Sequence, residues 1–143
     1  MATFKFSETT SRSPEEVFNF LADMTNAKRW DPSIASVVRL EDGPVRRGST
    51  FRVSLVFIGR TITIDYRLVR FDSPHGLVLR SESRIFVSED TVTLGVEQGR
   101  TRVDYQARLA GKGLLALLDP VFRWAINHFG RDAGVGLSAW LLE

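Results

Sequence analysis

The chain has 143 residues, which fits one domain spanning residues 1–143 with enough length to bury a core of its own. It contains no cysteine, so disulfides, thiolate metal sites and thiol nucleophiles are excluded. Its net charge is only +2, and its arginines are interspersed with acidic residues along the predicted strands, which indicates a solvated surface and argues against a nucleic-acid site.

The N-terminal segment predicts a strand followed by two short helices. The strand covers residues 3–10, where apolar and polar side chains alternate loosely. Ser13 and Pro14 then begin a helix, because serine is a good cap and proline suits the first helical position. A second helical turn covers residues 26–30, and Pro32 ends it by keeping the residue before it out of the helical conformation.

Residues 34–110 alternate apolar and polar side chains almost without interruption, and turn-forming residues divide them into six strands. Because the turns are short, strands that are neighbours in sequence should pair antiparallel. Several strands have one apolar face and one charged face. The apolar positions are Phe51, Val53, Leu55, Phe57, Ile62, Ile64, Tyr66, Leu68, Val103, Tyr105, Ala107 and Leu109. A sheet with one apolar face must cover that face with another element.

The C-terminal segment predicts the element that covers the sheet. Residues 114–118 form a turn, and Asp119 and Pro120 have the order of a cap followed by a first helical residue. The helix that starts there continues to about Leu142 and measures roughly 34 Å. Its buried face carries Phe122, Ala125, Ile126, Phe129, Ala133, Gly136 and Trp140. The predicted fold class is therefore α+β, with a curved seven-stranded antiparallel sheet that grips a long C-terminal helix.

Several local strings resemble those of one known superfamily. They are Ser13-Pro14-Glu15-Glu16-Val17-Phe18, Arg29-Trp30-Asp31-Pro32-Ser33-Ile34, Asp42-Gly43-Pro44, Gly48-Ser49-Thr50-Phe51 and Thr101-Arg102-Val103-Asp104-Tyr105. By these strings and its element order, the chain resembles the START-like (helix-grip) superfamily, and within it the polyketide cyclase/dehydrase and lipid-transport group, also called SRPBCC proteins. The resemblance covers nearly the whole chain. The strings are structural, and none carries a catalytic residue that transfers to this sequence.

The resemblance implies a deep cavity between the concave face of the sheet and the long helix, reached through loops at one end. Members of the superfamily bind sterols, lipids, polyketides, quinones or plant hormones. Some of them catalyse aromatic ring closure, whereas others only carry or sense their ligands. The fold therefore implies a binding function and leaves the ligand open.

The residues themselves also favour a hollow interior. Small residues on the buried helix face, opposite a curved sheet, should leave room for one drug-sized ligand. The alternative is that large residues from the two short helices fill that space. The positions expected to contact a ligand are Trp30, Phe57, Ile64, Tyr66, Ser81, Ser83, Tyr105, Phe122, Ala125, Phe129, Ala133 and Gly136.

Polar groups among these positions have more than one interpretation. Tyr66 and Tyr105 are best suited to orient a ligand, because a buried hydroxyl needs a hydrogen-bond partner. The alternative is a core tyrosine whose hydroxyl reaches solvent or a backbone carbonyl. Ser81 and Ser83 either donate hydrogen bonds inside the cavity or lie at an exposed strand edge. Trp30 closes the narrow end of the cavity or packs under the short helices, since large aromatic residues usually anchor cores. The less common alternative is an exposed recognition residue.

His128 and Asp132 are weak candidates for catalysis. They lie four residues apart on the helix, a spacing that allows the carboxylate to hold the imidazole of a general base. A surface ion pair has the same spacing and is commoner. The sequence has only two histidines, no phosphate-binding glycine loop and no serine nucleophile elbow, so we expect no metal and no cofactor.

The sequence supports three functional hypotheses. The first is binding of a small hydrophobic molecule such as a lipid, isoprenoid, quinone or polyketide, for carriage or sensing. The second is a cyclase or dehydratase that acts on such a ligand in the same cavity. The third is an interaction module in which residues 114–118, rich in leucine, dock a partner instead of closing the cavity as a lid.

The sequence also predicts where the protein works and with what. No segment has the apolar length of a membrane span, and the first residues do not resemble a signal peptide. We therefore expect a cytoplasmic protein, a monomer or homodimer, whose partner is a small hydrophobic ligand. We expect no nucleic-acid partner and no stable membrane insertion.

Overall fold

The computed structural model describes residues 2–143, and its elements follow the order that the sequence predicts. In chain order they are β1 (Ala2–Thr10), α1 (Pro14–Ala22), a first 3₁₀ helix (Met24–Arg29), β2 (Ile34–Arg39), β3 (Thr50–Phe57), β4 (Arg60–Asp72), β5 (Gly76–Glu82), β6 (Phe86–Glu97), β7 (Arg100–Gly111), a second 3₁₀ helix (Gly113–Leu118) and α2 (Asp119–Leu141). The strands form one antiparallel sheet in the order β1-β7-β6-β5-β4-β3-β2. The predicted α+β architecture is confirmed.

Tight turns explain why sequence neighbours pair in this sheet. The β3–β4 turn consists of Ile58 and Gly59, and the β6–β7 turn consists of Gln98 and Gly99. These residues have φ values of 50°, 71°, 52° and 75°, the conformation of two-residue turns that match the twist of a hairpin. β1 is the exception, because it pairs with β7 from the other end of the chain.

The sheet is split between β4 and β5. These strands pair only from Arg67 opposite Arg80 to Asp72 opposite Gly76. The first half of β4 pairs with β3, and the end of β5 pairs with β6. A gap therefore opens in the sheet beside residues 81–83.

The two helices begin in different ways. At α1 the Ser13 hydroxyl accepts a hydrogen bond from the Glu16 backbone N–H at 3.2 Å, as the sequence predicts. At α2 the prediction that Asp119 is the cap is wrong, because Asp119 is the first helical residue and Leu118 precedes it without a capping side chain. The Asp119 carboxylate instead pairs with Arg123 one turn later, at 2.9 Å.

One end of the molecule is a solid core formed by α1, the first 3₁₀ helix, the sheet and the C-terminal end of α2. Phe18, Leu137 and Leu141 are fully buried there. The rings of Phe20 and Trp140 stack with centroids 3.7 Å apart. The short helices thus fill part of the interior, which is the alternative that the sequence left open, but only at this end.

The convex face of the sheet carries ion pairs between neighbouring strands. Arg52 and Asp65 lie directly opposite each other, with Arg52 Nε 2.9 Å from Asp65 Oδ1. Arg80 Nη1 lies 3.0 Å from Glu89 Oε2. This is the solvated, mixed-charge surface that the alternating arginines predict. Within residues 2–143, no helix combines the length and the apolar character that crossing a bilayer requires.

Candidate ligand-binding site

The concave face of the sheet and α2 enclose a cavity of about 380 Å³. Pockets that hold small molecules fall in this size range and are mostly apolar. The sheet contributes Phe4, Phe6, Val53, Leu55, Phe57, Ile62, Ile64, Leu79, Val92, Ala107 and Leu109 to the wall. The helix contributes Phe122, Ala125, Ile126, Phe129, Gly130, Ala133, Gly134 and Leu137.

The interior is hollow because α2 rests on only one side of the sheet. It packs mainly on β1, β7 and the second 3₁₀ helix. Two glycines let it approach β1 closely: a Cβ at Gly130 would lie 2.5 Å from the Phe4 ring, and one at Gly134 would lie 3.3 Å from the Phe6 ring. The helix therefore spans the space in front of β3–β6 without filling it.

Aromatic side chains border the cavity beside the β3–β4 turn. The Phe57 ring lies 5.1 Å from the Phe129 ring and 6.1 Å from the Trp124 ring, so the end of β3 contacts α2. The leucines of the second 3₁₀ helix are outside this border. Leu114 and Leu117 are 86% and 79% exposed, and no residue from 114 to 118 belongs to the described cavity wall.

A buried polar cluster interrupts the apolar wall. The Tyr105 hydroxyl donates a hydrogen bond to Asp90 Oδ2 at 2.7 Å. The Tyr66 hydroxyl and Ser88 Oγ are 3.3 Å apart, within hydrogen-bond distance. The Trp30 ring meets the Tyr105 ring edge to face, with centroids 5.9 Å apart. All five of these side chains line the cavity.

Burial decides the protonation of this cluster. It raises the pKa of Asp90 to about 6, although the hydrogen bond from Tyr105 opposes the rise. Burial also raises the pKa of Tyr66 and of Tyr105, and the neighbouring Asp90 charge adds to both shifts. At neutral pH the phenols are therefore donors, and Asp90 is mostly an ionised acceptor.

The sequence matches a family model described as polyketide cyclase / dehydrase and lipid transport over residues 1–137. The chain belongs to this family. None of the curated proteins compared with it matches.

Solved structures of other proteins share this fold. A START superfamily protein from Mycobacterium smegmatis is similar with a TM-score of 0.78 and 12% identity, over 99% of this chain and 97% of that chain. The protein TTHA0849 from Thermus thermophilus is similar with a TM-score of 0.76 and 16% identity, over 96% and 94% of the two chains. The di-domain ARO/CYC protein StfQ from the steffimycin biosynthetic pathway gives a TM-score of 0.74 and 11% identity, over 98% of this chain and 50% of that chain. At these identities the likeness shows the fold alone.

In this family member, most of the positions predicted from the sequence surround the cavity. Those that line it are Trp30, Phe57, Ile64, Tyr66, Tyr105, Phe122, Ala125, Phe129 and Ala133. They come together because the alternation along each strand and the helical spacing of α2 place them on facing surfaces.

Ser81 and Ser83 do not line the cavity, contrary to the prediction. Both line a separate polar pocket at the gap between β4 and β5. Ser81 is buried opposite Ser88 in the sheet, and it is Ser88 that borders the cavity. The Ser83 hydroxyl accepts hydrogen bonds from the Ile85 and Phe86 backbone N–H groups, both at 3.2 Å, so it shapes the β5–β6 turn.

Gly136 does not border the cavity either, and the physical reason is the opposite of the one predicted. A Cβ at this position would lie 1.8 Å from the Trp30 carbonyl oxygen. The glycine is needed where α2 passes directly over the backbone at Trp30, not where space is left for a ligand.

His128 and Asp132 lie on the exposed side of α2 and outside the cavity wall. The imidazole stacks on the Trp124 ring, with centroids 5.5 Å apart. Among residues 2–143, no hydrogen bond or ion pair joins these two side chains. This placement removes the basis for the proposed catalytic pair. His75, the other histidine, is exposed in the β4–β5 turn.

Sequence reasoning missed Asp90 and Ser88. On β6 they share a face with Val92 and Leu94, and the latter two are buried. Side chains two residues apart on a strand point to the same face. The apolar residues Val92 and Leu94 could therefore have predicted that Asp90 and Ser88 lie on the inner face. Within the described chain, no group of three or more His, Cys, Asp or Glu side chains is arranged to hold a metal ion.

Proposed function

We propose that the protein binds a small hydrophobic molecule, such as a lipid, isoprenoid, quinone or polyketide, in order to carry or sense it. The observation that carries this proposal is an apolar cavity of about 380 Å³ that contains one buried cluster of hydrogen-bonding groups. A solid interior would leave no room for such a role.

The hydrophobic effect supplies the affinity. A ligand that buries about 300 Å² of apolar surface gains about 7 kcal/mol before the cost of association is subtracted. The apolar wall accepts many ligands of suitable size almost equally. Discrimination among them therefore falls to the polar cluster around Asp90 and Tyr105, whose groups must stay hydrogen-bonded when water leaves.

Binding can be measured with Nile red, an uncharged dye whose fluorescence rises in apolar surroundings. We expect saturable binding at one dye per chain. Ala133 lines the cavity, whereas Ala139 is exposed on the same helix. Ala133→Phe should abolish dye binding because it fills the cavity, and Ala139→Phe should bind as the unmodified protein does.

Ala107→Leu is a second cavity-filling variant, on β7, for the case in which Ala133→Phe does not fold. Mass spectrometry of the native protein, purified from its own host, should also detect a bound apolar molecule. Equal dye binding by the cavity-filling and the exposed variants, together with an empty purified protein, would overturn the proposal.

A second candidate function is catalysis on such a ligand, of the cyclase or dehydratase type. The observation that favours it is a carboxyl with a pKa of about 6 beside a phenol donor inside the cavity, since groups that titrate near neutral pH suit general acid–base chemistry. The same mass measurement distinguishes the two functions. An enzyme converts the bound molecule into one of different mass or retention, whereas a carrier returns it unchanged.

The interaction-module hypothesis has weaker support. A solid core beside an exposed leucine patch would favour it. Leu114 and Leu117 are exposed as it requires, but the core beside them contains the cavity.

A further inference from the structure

The charged side chains that line the described cavity wall are all acidic. The chain carries 19 lysines and arginines and has a net charge of +2. Even so, no lysine, arginine or histidine among residues 2–143 lines the cavity, whereas Asp23, Asp31 and Asp90 do. The wall therefore offers carboxylates to a ligand and no cation to balance them.

Two of these carboxylates are already occupied by local hydrogen bonds. Asp23 accepts bonds from the Thr25 backbone N–H at 3.0 Å and from the Thr25 hydroxyl at 2.6 Å. Asp31 accepts bonds from the backbone N–H and hydroxyl of Ser33, at 3.0 and 2.7 Å. All four bonds end on one oxygen, Oδ1, of each carboxyl, and they hold the chain around the first 3₁₀ helix.

Asp90 is different. Among the described residues, only the Tyr105 hydroxyl hydrogen-bonds to its carboxyl, and it uses Oδ2. The second oxygen, Oδ1, has no partner within the described chain, although the side chain is enclosed by the fold and borders the cavity. A buried carboxylate that is ionised without a countercharge is costly, and a ligand that supplies the missing partner recovers that cost.

The groups around Asp90 favour a positively charged ligand over a negatively charged one. Tyr105 on β7 and Tyr66 on β4 are uncharged donors, and Asp31 and Glu89 add negative charge that raises the Asp90 pKa. β1, β5 and α2 contribute only uncharged side chains to the wall. An acidic ligand would bring a second negative charge close to the Asp90 carboxylate. An ammonium group would instead donate a short, charge-assisted hydrogen bond to it.

We propose that the cavity selects apolar molecules that carry one protonated amine, with Asp90 Oδ1 accepting the ammonium hydrogen bond and Tyr105 holding the carboxyl in place. This inference rests on the proposed function, because it names the ligand class for the same cavity. It separates the protein from carriers of fatty acids or of other anionic lipids.

Three probes with the same apolar part test the inference. They are 2-naphthylmethylamine, 2-naphthylmethanol and 2-naphthoate, titrated into the full chain by calorimetry at about pH 7.5, where Asp90 and the amine are both charged. We expect the amine to bind about tenfold to a hundredfold more tightly than the acid, the range that a hydrogen bond between charged groups supplies. The alcohol should lie between them.

Variants and pH locate the effect at Asp90. Asp90→Asn should weaken amine binding about tenfold or more and weaken alcohol binding much less, because the alcohol carries no charge. Asp104→Asn removes the same charge from the convex face, where Asp104 pairs with Arg102, and should change neither. Lowering the pH to about 5 should weaken amine binding to the unmodified protein, because Asp90 then takes up a proton, and should not affect the Asp90→Asn variant.

The outcomes separate this inference from the proposed function. If the acid binds as tightly as the amine, or if Asp90→Asn leaves amine binding unchanged, the inference is wrong while the cavity still binds apolar molecules. If none of the three probes binds and Nile red does not bind either, the proposed function itself fails.

Discussion

The two ends of α2 have different surroundings although they belong to one continuous helix. At the C-terminal end, Trp140 stacks on Phe20 of α1, and Leu137 and Leu141 are buried in a solid core. At the N-terminal end, Phe122 and Phe129 border a cavity. The difference comes from what faces the helix, because α1 and the first 3₁₀ helix pack directly on the first end, whereas the curved sheet faces the second end across the cavity.

The comparison teaches that the glycines of α2 mark close approach, whereas the small residues Ala125 and Ala133 border empty space. Gly136 lies against the Trp30 carbonyl, and Gly130 lies against the Phe4 ring. These contacts hold α2 close to one side of the fold, and the cavity opens on the other side. The size of a residue on the helix therefore does not show by itself whether the space beside it is filled.

The largest expected difference between the two ends is the effect of removing an aromatic ring. Phe20→Ala should lower the free energy of unfolding by about 3–5 kcal/mol, because the ring is buried and stacked on Trp140. Phe129→Ala removes an identical ring from the cavity border and should cost about 1 kcal/mol, since water already reaches that position. Urea denaturation measures both. Equal losses would mean that the two ends are equally well packed.

A smaller effect should come from adding one methyl group to α2. Gly136→Ala should lower the free energy of unfolding by about 3 kcal/mol, because backbone rather than a movable side chain occupies the space. Gly134→Ala is the matched control two residues earlier, where the nearest atom is a Phe6 ring carbon at 3.3 Å. There the better helix propensity of alanine should offset the crowding, and stability should change little. A neutral Gly136→Ala would contradict the close approach at Trp30.

Local patterns were enough to predict the fold. The alternation in residues 34–110 and the proline-led helix starts predict the order of the elements, and short turns predict the antiparallel pairing. The Asp119 cap was wrong because a cap and a first helical residue differ by only one position, which sequence patterns do not resolve.

The candidate site was harder to predict because parts of it depend on contacts between distant segments. Tyr66 and Tyr105 could be placed on the inner face from the alternation of their own strands. Ser81 has the same kind of pattern, yet it lies at a gap that exists only because β4 and β5 separate. The environment of Gly136 depends on where the chain passes at Trp30, and no local pattern carries that information.

The last prediction concerns Asp90 and compares the polar cluster with the charged convex face. The pKa of Asp90 is about 6 in the folded protein against 3.8 for an ordinary aspartate, so the folded state holds this proton more tightly than the unfolded state does. Its contribution to stability is therefore greatest below about pH 4 and is lost as the pH rises through about 6. At about 1.4 kcal/mol per pKa unit the loss is at most about 3 kcal/mol, and water entering the cavity reduces it.

Asp90→Asn does not titrate and keeps an acceptor for Tyr105. In urea denaturation between about pH 4 and pH 7, the variant should become progressively more stable than the unmodified protein. Asp104→Asn should lack this trend between pH 4 and pH 7. Burial raises the pKa of Asp104, but hydrogen bonds from Arg102 and Ser7 outweigh it and lower the pKa below the ordinary 3.8, so this group affects stability mainly below that pH. A stability difference for Asp90→Asn that does not change with pH would mean that the carboxyl is well solvated. In that case the polar cluster would not differ from the outer face, and the argument for a charge-selective cavity would lose its physical basis.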